Sequence, residues 1–582
     1  MSRSQKLTAL AMTVLTGIAL YLFFAVKYRY HLHFQEQYQL FEWTGKYFAR
    51  VVALPGGLAD WAGRCITQFF YYAPLGAVLM TLLLCAVQGL SLAVCRRKTL
   101  LFHALALIPV FLLTAFFCDE NALVGAAVAL CLSLGVAALC LKIGKDRLRH
   151  WIEVLLVPVM YMACGPLAAV YVLIVAIREA ATCGAKALPV IAAILVVAVL
   201  CPLIASRIFP YLPGRFLQGI HYYRYHNILP GLLWGAALSS VLLVLVSCFK
   251  ARQTDAGWLP GTAAFVVIAA LGAFLVLRAA DASKEEWMRY DFMVRMQMWN
   301  RIMMTADAKN PDNPKTVSCL NLALAKTGRM ADHQFDYFQN GPEGLFPSFV
   351  RDFTNPVSTG EVFWHLGMIN TAQRYAFEAQ EAIPDFQKSA RFYQRLVETS
   401  IVNGDLAVAR KYLKPLQHTL FYRGWANETL SLLDEGDIFA RRPELARARD
   451  LRLKEHDFLF SDTEMDSMLG LLKVENPSNS LALDYLMAWC LLRKDLDRFV
   501  ECISMVDAPT MPKVYQEALL LRWVLTHNDF NGLPPYIAPA YAERISRFIA
   551  DSQAGKSPEQ IQRTYGDTYW FYYYYRYRSR QE

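Results

Sequence analysis

The chain has 582 residues, of which 55% are hydrophobic and 18% charged, and its formal net charge is +9. This composition is too apolar for one water-soluble protein and too charged for a chain embedded entirely in a membrane. The positive charge is spread over many short segments without a lysine-arginine block, which argues against a nucleic-acid partner. The cysteines after residue 280 are Cys319, Cys490 and Cys502, and their spacing indicates neither a zinc site nor a disulfide framework.

The composition changes just after Leu277, because uncharged apolar runs of about 20 residues recur before it and none follows it. We therefore predict an all-α protein in two parts. Residues 1–280 are predicted to form a polytopic helical membrane domain, and residues 281–582 a soluble, tetratricopeptide-like α-solenoid. The clear spans are predicted at residues 7–26, 69–94, 100–118, 122–141, 188–205, 228–249 and 258–277.

A further apolar stretch, residues 151–177, is longer than the roughly 20 residues that one span requires and too short for two full spans. Gly165 and Pro166 lie near its middle, and Pro158 weakens its first half, because proline lacks an amide donor and disfavours helix in the residue before it. We predict a helical hairpin with its tip near residues 164–166. The alternative is a single kinked span, which would place everything after it on the other side of the membrane.

Charge orients the first half of the membrane domain but not the second. With a cytoplasmic amino terminus, the basic residues of segments 96–98 and 142–149 lie inside, as the positive-inside rule requires. Thirteen Lys and Arg residues lie inside and eight outside if the hairpin forms, against twelve and nine for a single span. This difference is too small to decide. We predict a bacterial inner-membrane protein with the hairpin, and hence a periplasmic carboxy-terminal domain.

Amphipathic helices joined by short polar turns are predicted throughout the tail. The turns at residues 494–495 and 528–529 are 34 residues apart, which is the period of tetratricopeptide repeats. Such a solenoid presents a concave face that could hold an envelope partner protein. The final aromatic run, residues 569–580, either caps the solenoid or uses its rings to stack on sugars or lie among lipid headgroups.

No motif of a soluble enzyme is present, so candidate chemistry rests on charged residues in the predicted loops. The long first loop, residues 27–68, contains Glu36, and the short second loop contains Asp119 and Glu120. Carboxylates at a membrane surface can bind a divalent cation or take a proton from an attacking hydroxyl. The simpler alternative is that these charges only end helices at the interface. The sequence identifies neither a metal nor a cofactor.

The third loop, residues 207–227, contains Arg215, His221 and Arg224. Arginine is well suited to phosphate because its fork of donors matches the phosphate oxygens. If the hairpin forms, this loop lies on the same face as the first two. Alone, this loop, which also contains Tyr222 and Tyr223, would be an interfacial aromatic belt.

This arrangement resembles the GT-C glycosyltransferases, polytopic enzymes that take a sugar from a polyisoprenyl-phosphate carrier at the external face. Their first external loop is long and acidic, and the second adds an acidic pair, positions that Glu36 and then Asp119 and Glu120 occupy here. The chain departs from that class because the family usually has an aspartate close behind the first span. The resemblance implies Glu36, Asp119 and Glu120 as catalytic residues and Arg215, His221 and Arg224 as substrate-binding residues.

The chain also resembles, over nearly its full length, an uncharacterised family of bacterial inner-membrane proteins. The stretches that carry this resemblance are EQYQLF (36–41), PGGL (55–58), TQFFYY (67–72), NLALAKTGRM (321–330), GPEGLF (341–346) and YGDTYWFYY (565–573). That family implies the domain layout and no activity. Two hypotheses follow: a glycosyltransferase that uses a lipid-linked sugar, and a non-enzymatic membrane scaffold whose solenoid binds an envelope protein.

Overall fold

The structure, a computed structural model, describes residues 2–225, 228–249, 258–350, 352, 354–453, 464–527 and 529–575. It is 77% helical, and no strand occurs within those ranges, which confirms the predicted all-α class. An isolated antiparallel bridge joins Ala122 to Tyr223.

The chain divides into two compact units. Unit 1 comprises Met1–Glu285 together with Pro415–Gly424, and unit 2 comprises Glu286–Lys414 and Trp425–Glu582. The first division lies close to the change in composition near residue 280. Nothing in the composition distinguishes Pro415–Gly424, and its place in unit 1 was not predicted.

Unit 1 is built from long apolar helices joined by shorter polar ones. Its helices are α1 (Arg3–Leu22), α2 (Arg29–Gln37), α3 (Gly45–Val52), α4 (Gly57–Thr67), α5 (Ala73–Val94), α6 (Leu100–Leu105), α7 (Ile108–Phe116), α8 (Gly125–Cys140), α9 (Asp146–Cys164), α10 (Ala168–Cys183), α11 (Leu188–Ile208), α12 (Arg215–Gln218), α13 (Gly231–Cys248), α14 (Trp258–Ala279) and the start of α15 (Ala282–Arg295). Helices α5 and α8 pack against each other, α7 packs on α13, and α14 packs on α6 and α7.

Among the described residues of unit 1, five helical stretches are long and apolar enough to cross a membrane, by length and composition. They are Arg3–Lys27, Ala73–Val94, Asp146–Ile208, Gly231–Cys248 and Leu259–Ala279. The predicted spans at 100–118 and 122–141 form the shorter apolar helices Leu100–Phe116 and Gly125–Cys140. Between 17% and 44% of each long apolar window is buried inside the protein, so the remaining apolar side chains face outward.

Helices α9 and α10 run antiparallel. The Tyr171 hydroxyl donates to the carbonyl of Glu153 over 3.1 Å, and Arg149 Nε donates to Glu179 Oε1 over 2.8 Å. Residue 149 of α9 pairs with residue 179 of α10, and the later residue 153 pairs with the earlier residue 171. The chain therefore reverses its direction between the two helices. The reversal occurs at Gly165, whose φ of 65° lies in the region that favours glycine.

The two arms of this hairpin are longer than the apolar stretch 151–177 from which it was predicted. Helix α9 begins at Asp146 and has 19 residues, and α10 ends at Cys183 and has 16. Hydropathy alone marked the boundaries too narrowly, because both helices continue through charged residues at the open end of the hairpin.

Glycines allow α4, which belongs to the first loop, to lie against the backbone of α8. A Cβ atom placed on Gly63 would lie 2.2 Å from the amide nitrogen of Gly125. A Cβ on Gly125 would in turn lie 3.1 Å from Cα of Asp60. This close approach fixes Asp60 and its neighbours against the helical core of unit 1.

Unit 2 is also helical. Two of the helices given next, α22 and α23, lie mostly in unit 2, but the end of α22 and the start of α23 belong to Pro415–Gly424 of unit 1. The helices that follow α15 are α16 (Trp299–Ala308), α17 (Pro314–Lys326), α18 (Met330–His333), α19 (Asn355–Leu366), α20 (Ile369–Glu381), α21 (Ala390–Asn403), α22 (Leu406–Leu416), α23 (Arg423–Glu435), α24 (Ile438–Arg441), α25 (Pro443–Leu451), α26 (Met465–Glu475), α27 (Ser480–Leu492), α28 (Leu496–Cys502), α29 (Lys513–His527), α30 (Pro539–Gln553), α31 (Pro558–Tyr565) and α32 (Tyr569–Tyr575).

Successive helices of unit 2 pack in pairs, as in a helical repeat, but distant helices pack as well. The amide of Lys513 on α29 donates to Asp332 Oδ1 on α18 over 2.8 Å, and its Nζ lies 2.9 Å from Asp336 Oδ1. In a linear repeat stack each repeat contacts only its neighbours, so unit 2 is more closed than the predicted solenoid. Of the two predicted turns that suggested a 34-residue period, one contains Asn528, which lies outside the described residues.

The described part of the final aromatic run packs inside unit 2. The amide of Tyr569 donates to Glu517 Oε2 and the Trp570 indole donates to the Glu517 carbonyl, each over 2.9 Å, and both rings are buried. These contacts agree with the capping role predicted as one of two alternatives. Residues 576–580 of the run lie outside the described residues.

We predict that Gly63→Ala destabilises the protein by about 1–3 kcal/mol, the usual range for overpacking. The added methyl group would meet backbone atoms of Gly125, which cannot move aside as the end of a flexible side chain can. The matched control is Gly89→Ala, because a Cβ there meets nothing within 4 Å. Thermal unfolding in detergent should show a lower midpoint for the first variant alone; equal midpoints would contradict the proposed α4–α8 contact.

Candidate functional site

The second and third loops of unit 1 are joined by backbone hydrogen bonds. The amide of Leu123 donates to the carbonyl of Tyr222, and the amide of Arg224 donates to the carbonyl of Asn121, each over 3.0 Å. The bridge between Ala122 and Tyr223 lies between these two bonds. The two loops therefore meet at one end of unit 1, which we call the loop face.

The tip of the α9–α10 hairpin also lies at the loop face. The Tyr222 hydroxyl donates to the carbonyl of Cys164 and accepts a hydrogen bond of 3.0 Å from the amide of Leu167. From the first loop, the amide of Gly56 donates to the carbonyl of Met162 over 2.9 Å. The structure thus brings all three loops together around the turn of the hairpin.

The chain leaves α14 at the same face. The carboxylate of Glu285 accepts hydrogen bonds from the amides of Tyr30 (2.8 Å) and His31 (3.0 Å), next to the start of α2. Lys284 Nζ lies 2.7 Å from Glu120 Oε1 in the second loop. Burial raises the pKa of Glu285 to about 8. These contacts fix the end of the membrane-length helices to the first two loops.

Glu36 lies near the end of α2 and is 4% exposed. The Tyr422 hydroxyl lies 2.9 Å from each of its carboxylate oxygens, so it can donate to either one. Tyr422 belongs to Pro415–Gly424, the distant part of unit 1, which we call the cover segment. In the cover segment, Phe421 also stacks on Tyr71, just before α5, with ring centroids 4.9 Å apart. Glu36 therefore lies beneath a segment contributed by the tail.

Asp60 on α4 is the second buried carboxylate at this face, and it was not among the predicted site residues. Arg64, one turn later, pairs with it through two contacts. Its Nε lies 2.9 Å from Asp60 Oδ1, and its Nη2 lies 2.8 Å from Asp60 Oδ2. His221 Nδ1 of the third loop lies 3.6 Å from Asp60 Oδ2. The spacing of an aspartate and an arginine four residues apart in a mostly apolar helix was the signal available in the sequence.

Arg224 and Arg215 are both buried but have different surroundings. Nη1 of Arg224 donates to the carbonyl of Tyr38 over 3.3 Å, and the guanidinium lies 5.6 Å from the Tyr38 ring centroid. Burial lowers the pKa of Arg224 to about 10, so it stays protonated at neutral pH. Arg215 lies over Tyr211, with 4.9 Å between guanidinium and ring centroid. Arg224 is thus tied to Tyr38, two residues after Glu36.

Asp119 and Glu120 have the partners expected of residues that end a helix. Asp119 accepts from the Tyr223 hydroxyl over 2.6 Å and from the amide of Asn121 over 2.8 Å. Glu120 is paired with Lys284, a half-exposed contact of a kind that contributes little stability. The two residues are at the loop face with Glu36, and Gln35 on α2 reaches the carbonyl of Ala122 over 3.2 Å.

His31 is a buried histidine of this face, 1% exposed and stacked on Tyr28 with ring centroids 4.6 Å apart. Burial lowers the pKa of His31 to about 3, and Lys284 adds to this effect, although Asp119 opposes it. The imidazole is therefore neutral across the physiological range. Sequence reasoning missed it because no pattern separates it from the adjacent His33.

The fold and this site define an all-helical protein with helices long enough to cross a membrane and a loop face that gathers buried charged residues. The chain belongs to the family of unknown function DUF6057, whose model matches residues 3–576. Comparison with curated proteins and with solved structures found no match.

We predict that acid destabilises the protein through His31. The folded state holds the imidazole neutral down to about pH 3, whereas an unfolded histidine is protonated below about pH 6.5. The free energy of unfolding should therefore fall, by up to about 1.4 kcal/mol per pH unit, as pH decreases from about 6.5 towards 3. His31→Phe, which can still stack on Tyr28, should reduce this slope in melting curves taken between pH 7.5 and 4.5.

The control for this prediction is His527→Gln, at an exposed histidine of unit 2. Its melting temperature should follow that of the wild-type protein at every pH. Identical slopes for His31→Phe and the wild-type protein would show that His31 does not govern the acid response.

Proposed function

We propose that this is an integral membrane protein of the bacterial inner membrane whose loop face and tail are periplasmic. Support for the membrane comes from the five apolar stretches and from their outward-facing side chains, such as Leu271 and Phe274, which are 64% and 67% exposed. Such large apolar surfaces are unfavourable in water and favourable in lipid.

Support for the orientation comes from the end of unit 1 opposite the loop face. There the amide of Arg96 donates to Ser247 Oγ over 3.0 Å, and Arg97 binds the carbonyl of Phe249. Arg178, at the open end of the hairpin, is close enough to interact electrostatically with Cys95. Concentrated basic residues favour the cytoplasmic side, and the loop face would then be external.

We propose further that the loop face transfers a glycosyl group from a polyisoprenyl-phosphate carrier, as in the GT-C class. The observation that carries this proposal is the burial of Glu36 beneath Tyr422, close to the residues that bind Arg224. A long, acidic first loop is the feature that this chain shares with that class, with Glu36 in place of the usual aspartate. Buried charged groups gathered from distant segments are unfavourable for stability and are typical of functional sites.

In the proposed reaction, an acceptor hydroxyl attacks the anomeric carbon of the carrier-linked sugar. The bond from that carbon to the phosphate oxygen breaks, the polyisoprenyl phosphate leaves, and Glu36 accepts the hydroxyl proton. The Tyr422 hydroxyl orients the carboxylate by its hydrogen bond. Arg224 and His221 are the side chains that would bind the phosphate oxygens.

The second candidate function is a non-enzymatic membrane scaffold that binds an envelope protein. It is favoured by the pairing of Asp60 with Arg64 and of Glu120 with Lys284, since such pairs hold loops in place without any reaction. Under this candidate Glu36 and Tyr422 serve only to fasten the cover segment to the first loop.

The orientation predicts the activity of reporter fusions. Alkaline phosphatase, which is active only outside the cytoplasm, should be active when fused after Glu582 and inactive when fused after Lys98. A cytoplasmic fluorescent reporter at the same two positions should give the reverse pattern. Inactive phosphatase after Glu582, with the fusion protein present in the membrane, would overturn the proposed orientation.

The transferase proposal predicts that Glu36→Gln abolishes activity. A strain lacking the gene should accumulate a lipid-linked sugar, detected by mass spectrometry of membrane extracts, and the wild-type gene should restore its consumption. Glu36→Gln should leave the intermediate unconsumed, because the amide cannot accept the proton, at unchanged protein level. Tyr422→Phe should reduce the turnover at least about 10-fold if it orients the carboxylate.

The matched control is Glu42→Gln in the same loop, a half-buried carboxylate 3.9 Å from Arg50. It should restore consumption fully. Full restoration by Glu36→Gln, or unchanged lipid-linked sugars in the strain lacking the gene, would exclude the transferase and leave the scaffold.

A further inference from the structure

A second cluster of polar side chains lies at the open end of the α9–α10 hairpin, away from the loop face. His150 projects from α9, and Glu179 and Cys183 lie one turn apart on α10. One ligand atom from each of the three lies within 4.8 Å of the other two. His150 Nε2 is 3.0 Å from Glu179 Oε2. Three different ligand types therefore converge on one small volume.

Imidazole, thiolate and carboxylate together match the preferences of a divalent transition metal of the zinc class. Zinc bonds of about 2.0–2.3 Å in a tetrahedral arrangement separate neighbouring ligand atoms by about 3.3–3.8 Å. The 4.8 Å limit on the present separations means that small side-chain rotations bring the three atoms to those distances.

Buried charged groups of both signs lie at this end of the hairpin, and they include the carboxylates of Glu153 and Glu179 and the Nε and Nη1 atoms of Arg178. Arg149 Nε lies 2.8 Å from Glu179 Oε1 and 3.6 Å from Glu153 Oε1, so one guanidinium faces two buried carboxylates. Glu153 is fully buried, and neither of its carboxylate oxygens has a hydrogen-bond partner among the described residues. A buried carboxylate in such a position is unfavourable unless a cation compensates it. Arg149 and Arg178 supply positive charge at this end of the hairpin, so the indication of a metal rests on the three converging ligand atoms.

We propose that His150, Glu179 and Cys183 bind a divalent transition metal ion that joins the two arms of the hairpin. Glu179 would ligate through Oε2, while Oε1 keeps its hydrogen bond from Arg149, which orients the carboxylate in the way that outer-shell partners of metal ligands do. His150 would ligate through Nε2. Cys183 would ligate as the thiolate, so its proton is released to solvent when the ion binds.

This site would lie on the cytoplasmic side under the proposed orientation, where thiols stay reduced and available to a metal. Its position also suggests a consequence for the fold. Cys183 is the last residue of α10, directly before Gly184, so the ion would fix the point at which the chain turns into α11. The proposal does not depend on the glycosyl-transfer hypothesis, because no residue of the loop face takes part.

The test is binding of Zn²⁺ and Co²⁺ to the purified full-length protein in detergent. The wild-type protein should bind one equivalent in competition with a chromophoric chelator. Bound Co²⁺ should give the near-ultraviolet charge-transfer band of a cobalt thiolate. Cys183→Ser should lose this band and bind Zn²⁺ at least about 10-fold more weakly, and His150→Gln should show a similar loss of affinity.

The matched controls are Cys201→Ser and His103→Gln, since both residues are half-buried in apolar helices of the same unit. Both should bind as the wild-type protein does. A second measurement uses the wild-type protein and follows the rate at which a maleimide alkylates Cys183, read by peptide mass spectrometry. Zn²⁺ should slow this alkylation, whereas Mg²⁺ should not. Absence of stoichiometric binding, or equal binding by Cys183→Ser, or alkylation that ignores Zn²⁺, would overturn the proposal.

Discussion

The arrangement of unit 1 depends on one constraint, which is that the backbone exposed by the hairpin turn must find hydrogen-bond partners. Where the helix stops at Cys164, carbonyl and amide groups lose their intrahelical partners, and within an apolar surrounding no water replaces them. The Tyr222 hydroxyl serves two of these groups, because it donates to the carbonyl of Cys164 and accepts from the amide of Leu167. Gly56 supplies a further amide to Met162. The turn thereby draws the first and third loops to itself.

The same requirement explains why charged residues concentrate at that end. Once three loops are packed around the turn, their polar side chains are removed from water and must be paired. Asp60 is compensated by Arg64. Glu36 receives the Tyr422 hydroxyl, and the amides at the start of α2 are bound by Glu285. A site built in this way holds its side chains in fixed positions, and fixed positions are what catalysis or specific binding requires.

The sequence predicted the course of the backbone better than it predicted the contacts between side chains. The Gly165-Pro166 pair marked the position of the turn, and the periodic apolar runs indicated helices throughout, because both depend on local properties of the chain. Glu36, Asp119, Glu120 and Arg224 were expected to share a face, and they lie at one end of unit 1. Their partners were not predictable, since the contact between Tyr422 and Glu36 joins residues 386 positions apart.

The irregular packing of unit 2 had a similar cause. Two turns with the spacing of a known repeat suggested an irregular solenoid, yet Lys513 binds Asp332 and Asp336, which lie 181 and 177 positions earlier in the chain. Local spacing carries no information about such returns of the chain. The closed arrangement was accordingly visible only in three dimensions.

Because of the cover segment, unit 1 is made of two separate stretches of the chain, and no single cut divides the sequence into the two units. The polypeptide passes between them after Glu285, after Lys414 and again after Gly424. A fragment that stops at Glu285 would retain the five membrane-length stretches of the described residues and yet leave Glu36 without the hydroxyl of Tyr422. Truncation at Glu285 would therefore remove a part of unit 1 together with the whole of unit 2.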